Sequence, residues 1–134
     1  MNNLENRLTD YQHPRHAYRP HLLGKAGEDE AVRYLQSANF LILDRNWRGS
    51  SGELDIIVIT PDEEIAFVEV KTRSSLRFGD PFDAITPEKY RRLYHLAREW
   101  LSLHGKVISW RIDVILLVRN GVGFGLVHHK GLIA

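Results

Sequence analysis

Two apolar runs, Gly52 to Thr60 and Ile65 to Arg73, carry the clearest pattern in the chain. Both are rich in β-branched and aromatic residues at strand spacing, and Pro61-Asp62-Glu63-Glu64 between them is turn chemistry. The pattern predicts a β-hairpin. Near the turn the strands are apolar on both faces, so both faces are expected to be covered. Acids and a lysine enter only at the far end: Glu53 and Asp55 on one strand, Glu69 and Lys71 on the other. With an odd number of residues in the loop, the odd-numbered positions of both strands share a face. Asp55 then lies opposite or diagonal to Glu69, with Lys71 beside them and Ile57, Ile59, Ile65 and Phe67 on the same side. Leu54, Ile56, Val58, Val68 and Val70 form the other side. A one-residue bulge would break this parity.

The flanking segments alternate helix and strand. Gly24 to Asn39 has helical periodicity, with Ala31, Leu35 and Ala38 on one stripe, and Glu28 falls on that stripe. Phe40 to Trp47 reads as a strand leading into the Gly49-Ser50-Ser51-Gly52 loop. After the hairpin, Arg73 to Ile85 reads as a loop on the side of the charged strand ends. Thr86-Pro87-Glu88 is a helix start with an N-cap, a first-turn proline and an early acid. That helix is expected to run to about His104, with Leu93, Leu96, Ala97, Trp100 and Leu101 inward and Gly105 stopping it. Arg91, Arg92, Arg98 and Glu99 are expected to face outward. Ser109 to Val118 is nearly continuously apolar and so reads as a central strand, interrupted by Asp113. Asn120-Gly121-Val122-Gly123 turns into a last edge strand, Phe124 to Val127, and His128 and His129 read as surface. Residues 1–21 are polar and aperiodic, an expected flexible arm that could brush phosphates; residues 22–134 are expected to form one domain.

Composition narrows the chemistry. The 134 residues carry 18 Lys and Arg against 17 Asp and Glu, a net charge of +1, so any affinity for nucleic acid has to come from local clusters. The chain has no cysteine, which excludes disulfides, a thiolate nucleophile and a Cys-based zinc site. No apolar run is long enough to span a bilayer and no signal-peptide pattern opens the chain, so a cytoplasmic protein without a membrane partner is expected.

Two carboxylates about 4 Å apart repel by roughly 4 kcal/mol at an effective dielectric near 20. The Asp55–Glu69 pair therefore calls for a shared proton or a cation. Lys71 supplies one charge; a divalent ion would supply two, and hard oxygen ligands suit Mg²⁺ or Mn²⁺. The plainer alternative is a solvated hairpin end with cross-strand pairing. Glu28 has two explanations as well, a carboxylate favoured by the first helical turn or an acid aimed at the sheet. Lys89, at the edge of the buried stripe, could reach a phosphate or a carboxylate, or lie along the helix. Arg45, Trp47 and Arg48 beside a Gly/Ser loop could bind a sugar–phosphate backbone or stack on a base, or be a packed Trp with solvated arginines.

The chain resembles the YraN-like proteins, related to archaeal Holliday-junction resolvases within the PD-(D/E)XK nuclease superfamily. The resemblance rests on Gly24-Lys25-Ala26-Gly27-Glu28-Asp29, Arg45-Asn46-Trp47-Arg48, Gly52-Glu53-Leu54-Asp55-Ile56-Ile57 and Phe67-Val68-Glu69-Val70-Lys71-Thr72-Arg73. It continues through Asp83-Ala84-Ile85-Thr86-Pro87-Glu88-Lys89 and Arg111-Ile112-Asp113-Val114-Ile115. It implies an α/β, restriction-endonuclease-like fold: a mixed β-sheet with an antiparallel hairpin core, flanked by helices, in the order α-β-β-β-α-β-β. The signature acid maps to Asp55, the (D/E)XK pair to Glu69 and Lys71, and the acid of the first helix to Glu28. The proline that often precedes the signature acid is absent, and Leu54 stands there. The resemblance implies Mg²⁺ (or Mn²⁺) held by Asp55, Glu69 and the Val70 carbonyl, with Glu28 anchoring a second metal or orienting Lys71. Lys71 would position or help deprotonate a water, and Arg45, Arg48, Arg73 and Lys89 would contact nucleic acid. The implied activity is endonucleolytic hydrolysis of DNA, branched or otherwise structured. Junction resolvases act as two-fold dimers, which makes a homodimer an expectation; Phe78, Phe82 and Trp100 are the candidate aromatics for its face. Two other readings stand beside this one: a non-catalytic nucleic-acid-binding or interaction module, and a purely structural domain.

Overall fold

The computed structural model describes residues 20–74, 85–105 and 109–133. In chain order they form α1 (Pro20–Ser37), β1 (Leu41–Gly49), β2 (Gly52–Ile59), β3 (Ile65–Arg73), α2 (Pro87–Leu103), β4 (Trp110–Asn120) and β5 (Gly123–His129). The strands make one five-stranded sheet in the order β1-β2-β3-β4-β5. All neighbours are antiparallel except β3 and β4, which run parallel because α2 carries the chain back across the sheet. This is the mixed α/β architecture, in the order α-β-β-β-α-β-β, that the resemblance implies. Of the expected arm, residues 1–19 lie outside the described residues, whereas Pro20 and His21 belong to the first turn of α1. Proline is well suited to a helix start, where its missing N–H is no loss.

Each face of the sheet is covered by one helix. Ala31 and Leu35 of α1 pack with Phe40, Ile56, Val58, Ala66, Val68, Ile115 and Leu117. On the other face Leu93, Leu96, Ala97 and Trp100 of α2 pack with Ile57, Phe67 and Ile112. The Thr86 side chain caps α2 by accepting from the Lys89 N–H at 3.1 Å, and Pro87 fills the first turn. Gly27 sets how close α1 comes to the sheet: a Cβ there would fall 2.1 Å from Thr72 Oγ1.

Four expectations are corrected. Leu54 packs with the α2 face, not with Ile56 and Val58. Strict alternation fails at Asp55 because the β2–β3 pairing ends at Ile56↔Val68 and β2 continues paired only to β1. His128 is buried, not surface: its side chain is 4 % exposed, with Nε2 2.8 Å from Asp113 and Nδ1 2.7 Å from the Tyr34 hydroxyl. Glu99 turns toward the β1–β2 turn, accepting from the Ser50 N–H and hydroxyl. Trp100 is in the core, 4 % exposed and edge-on to Phe67, so it offers no dimer face; Phe78 and Phe82 lie outside the described residues.

Asp113 organises the buried polar structure on the α1 side. Its fully buried carboxylate accepts from Arg111, whose Nη1 also binds Glu64, and from the Gly131 N–H. Burial works to raise its pKa, but the bonds from His128, Arg111 and Gly131 outweigh it and hold the carboxyl below its usual range. The interruption in β4 is thus an anchor for β5 and the segment after it. Among the described residues no helix is long and apolar enough to cross a membrane.

Candidate active site

The open end of the hairpin gathers the chemistry. Pairing between β2 and β3 stops at Ile56↔Val68, which leaves the Val70 N–H without a strand partner on that side. The Asp55 carboxylate takes it instead, at 2.8 Å. Asp55 and Glu69 are neighbours that perturb each other's charge, but loop parity does not bring them together: five residues, Thr60 to Glu64, separate the paired Ile59 and Ile65, yet alternation has already failed at Asp55, with Leu54 on the Ile57 and Phe67 side.

Two lysines face Glu69. Lys89 reaches it from the first turn of α2 at 2.9 Å, and Lys71, two residues along β3, stands at 3.5 Å. Lys89 is therefore a partner of a site carboxylate and does not merely lie along the helix. All four groups titrate as one set. Burial, with the Glu69 charge next, pushes the Asp55 carboxyl up to about 8. Burial also works to raise Glu69, but hydrogen bonds from Asp55 and Lys89 and the two lysine charges bring it below its usual range. The opposite directions of the two shifts favour keeping a proton within the pair, on the Asp55 side. Burial, then the neighbouring Lys89, draws the Lys71 pKa down. Burial opposes the charge on Lys89 too, yet its bonds to Lys71 and Glu69 and the Glu69 charge raise it.

A cavity of about 530 Å³ opens beside this cluster. Asp55, Val70, Lys71, Arg73, Glu28 and Arg45 line it; Glu69 and Lys89 are not among its lining residues. Glu28 reaches the cavity because Gly27 lets α1 press against Thr72. With α1 starting at Pro20, Glu28 sits beyond the first turn, so the helix dipole does not explain it. Its carboxylate is held at Oε1 by Arg45 Nη2 (2.9 Å), Arg45 Nε (3.2 Å) and Asn46 Nδ2 (3.0 Å). Arg45 also binds Asp29 at 2.8 Å.

Arg48 pairs with Glu53 at 2.7 Å, and the Arg73 guanidinium points back to the Thr72 carbonyl at 3.4 Å. The expected basic residues thus differ: Lys89 and Arg73 border the acids, while Arg45 and Arg48 are occupied by carboxylates. Asn46 was not foreseen as a site residue. Its backbone has φ 51°, a left-handed conformation that asparagine tolerates best among residues with a Cβ, and from there its amide meets Glu28. Among the described residues no three acids or histidines form a ready-made cage of metal ligands.

A family model described as "Uncharacterised protein family UPF0102" matches residues 27–117, a span from Gly27 of α1 to Leu117 of β4 that includes every acid and lysine of the site. The chain belongs to UPF0102. A UPF0102 protein of Pseudarthrobacter chlorophenolicus is 43% identical over 113 residues, covering 83% of this chain and 85% of its own. One from Arthrobacter sp. is 42% identical over 109 residues (81% and 92%), and one from Renibacterium salmoninarum 45% over 112 residues (82% and 94%). The chain is therefore similar to UPF0102 proteins over nearly the whole of their length.

Proposed function

We propose that this UPF0102 protein is a metal-dependent endonuclease of the PD-(D/E)XK kind that hydrolyses phosphodiester bonds in branched or otherwise structured DNA. The observation that carries the reading is the neighbouring Asp55 and Glu69 carboxylates at the sheet rim, Asp55 on the Val70 N–H and Glu69 with Lys71 and Lys89.

The donor set fits a hard divalent cation. A carboxylate pair that retains a proton at neutral pH lacks positive charge, and Mg²⁺ or Mn²⁺ would replace that proton. Magnesium is commonly held by one or two carboxylates together with waters and substrate phosphates, so two acids and the Val70 carbonyl suffice. When bound, the cation would lower the pKa of water and offset charge on the phosphate. Glu28 would join only after exchanging Arg45 and Asn46 for the ion.

The chain's own groups have separable tasks. Lys71, bordering the cavity and depressed in pKa, would take a proton at Nζ from the attacking water. Lys89 would hold Glu69 in place and keep a positive charge near the scissile group. As the water oxygen bonds to phosphorus, the P–O bond to the leaving strand breaks, and that oxygen takes its proton from solvent.

A panel of linear duplex, single-stranded, flapped and four-way DNA with Mg²⁺ or Mn²⁺ tests this reading. Cleavage by the wild type that is lost in Asp55→Asn and in Lys71→Ala is expected, with preference for the branched substrates. Cleavage that survives both substitutions would contradict it. One observation favours a second reading, a nucleic-acid-binding module that keeps the fold without the chemistry: Glu28 Oε1 is taken by Arg45 and Asn46. DNA binding with no cleavage of any substrate would select that reading.

A further inference from the structure

Arg45, which lines the cavity, and Arg48 are poor candidates for gripping DNA, because they are already paired with Glu28, Asp29 and Glu53. The basic side chains on α2 differ. Lys89, Arg92, His95 and Arg98 recur at every third position, and such positions make one continuous ridge, slanted across the helix. Arg92, His95 and Arg98 are exposed, and no acidic side chain among the described residues is bonded to them.

The ridge connects two places already described. It begins at Lys89, bonded to Glu69 in the site. Arg92 then leans over the β1–β2 turn, its Cδ and Nε 3.9 and 4.0 Å from where a Gly52 Cβ would stand. His95 and Arg98 border an open groove of about 610 Å³ with Ser50, Tyr94 and Glu99. Glu99 is the one acid there, and both its oxygens are engaged by Ser50. Those bonds tie the turn to the helix, so groove and ridge form one surface. Nine residues of helix rise about 13.5 Å, which corresponds to about four nucleotides of a B-form strand at 3.4 Å each.

We propose that Arg92, His95 and Arg98 form a track for the sugar–phosphate backbone of duplex DNA, beginning beside Lys89 at the Asp55–Glu69 site and passing the β1–β2 turn. The proposal rests on the phosphodiesterase reading for its substrate, but its test does not require hydrolysis. Binding of a labelled 20-base-pair duplex is measured by fluorescence anisotropy in EDTA, across a salt series. The proteins are wild type, Arg92→Glu/Arg98→Glu, and Arg33→Glu/Arg119→Glu, which makes the same charge change away from the track. The milder Arg92→Gln/Arg98→Gln is included in case charge reversal impairs folding.

The track double variants are expected to weaken binding at least tenfold at low salt. They should also reduce the slope of log K against log salt by about 2, since each phosphate contact contributes about 0.9. Unchanged affinity and slope, equal weakening in the Arg33/Arg119 control, or a wild type that does not bind would each overturn the proposal. A protein that binds along the track yet cleaves nothing would sink the nuclease reading and leave the track standing. Cleavage with binding insensitive to Arg92 and Arg98 would do the reverse.

Discussion

Asp55 accepts the Val70 backbone N–H at 2.8 Å where a β2 carbonyl would otherwise be expected to pair. One bond therefore does two things: it closes the frayed end of the hairpin and fixes a carboxylate beside Glu69. The site is a consequence of how the sheet ends.

The shared proton makes stability depend on pH. Asp55 has a folded pKa of about 8 against 3.8 for the unconstrained group, so between those values the folded state binds the extra proton. Unfolding stability then falls as pH rises through this window, and the full penalty is present above about pH 8. Asp55→Asn mimics the protonated form. In metal-free buffer it is expected to stabilise the protein by a few kcal/mol near pH 9 and to change little near pH 4, because each pKa unit is worth about 1.4 kcal/mol. Urea unfolding at the two pH values checks this. Equal effects at both would be the wrong outcome.

Removing Lys89 leaves Glu69 with only the more distant Lys71. Lys89→Met should destabilise by about 1–3 kcal/mol at pH 7 and should raise the Glu69 pKa. Thermal unfolding and carboxylate titration by NMR would measure both. An unshifted Glu69 would show that the α2 contact is incidental.

Gly27→Ala places a methyl group 2.1 Å from Thr72 Oγ1 and 3.1 Å from its Cβ, which rotation of the side chain does not move. A loss of about 1–3 kcal/mol is expected from overpacking, together with weaker cleavage as Glu28 is displaced. Denaturant unfolding reads the first effect and the substrate panel the second.

Asp113 carries no proposed chemistry, yet its buried carboxylate is bonded to Arg111, His128 and the Gly131 N–H. Asp113→Ala would strand Arg111 and His128 and is expected to destabilise by about 3–5 kcal/mol. Its depressed pKa adds stability above about pH 4, which is lost as pH falls through the lower folded value. Acid unfolding of the wild type should therefore be steeper than that of the variant.

Much of this was readable in the chain because the relevant signals are local. The odd loop between Ile59 and Ile65 sets Ile57 and Phe67 on one face as expected, though not Asp55, and Thr86-Pro87 starts α2 where it was expected. What the chain hid depends on distant partners. His128 looks like tail until Asp113 and Tyr34 are seen to enclose it. Glu99 looks solvated until the β1–β2 turn folds over it. Leu54 obeys alternation only where β3 is alongside, and β3 has already parted from β2 at that point. Asn46 gave only a faint signal, an asparagine between two basic residues and a Trp, since its role needs a left-handed backbone that periodicity does not reveal.

The central claim is that Asp55 and Glu69 form one cation site. Calorimetric titration of Mn²⁺ into the wild type and Asp55→Asn at pH 7, in buffers of different ionisation enthalpy, tests it most directly. The expected result is binding to the wild type with release of about one proton per ion, because the ion displaces the one on Asp55, and no such release from the variant. Binding with the same proton count in both proteins, or no binding to either, would contradict it.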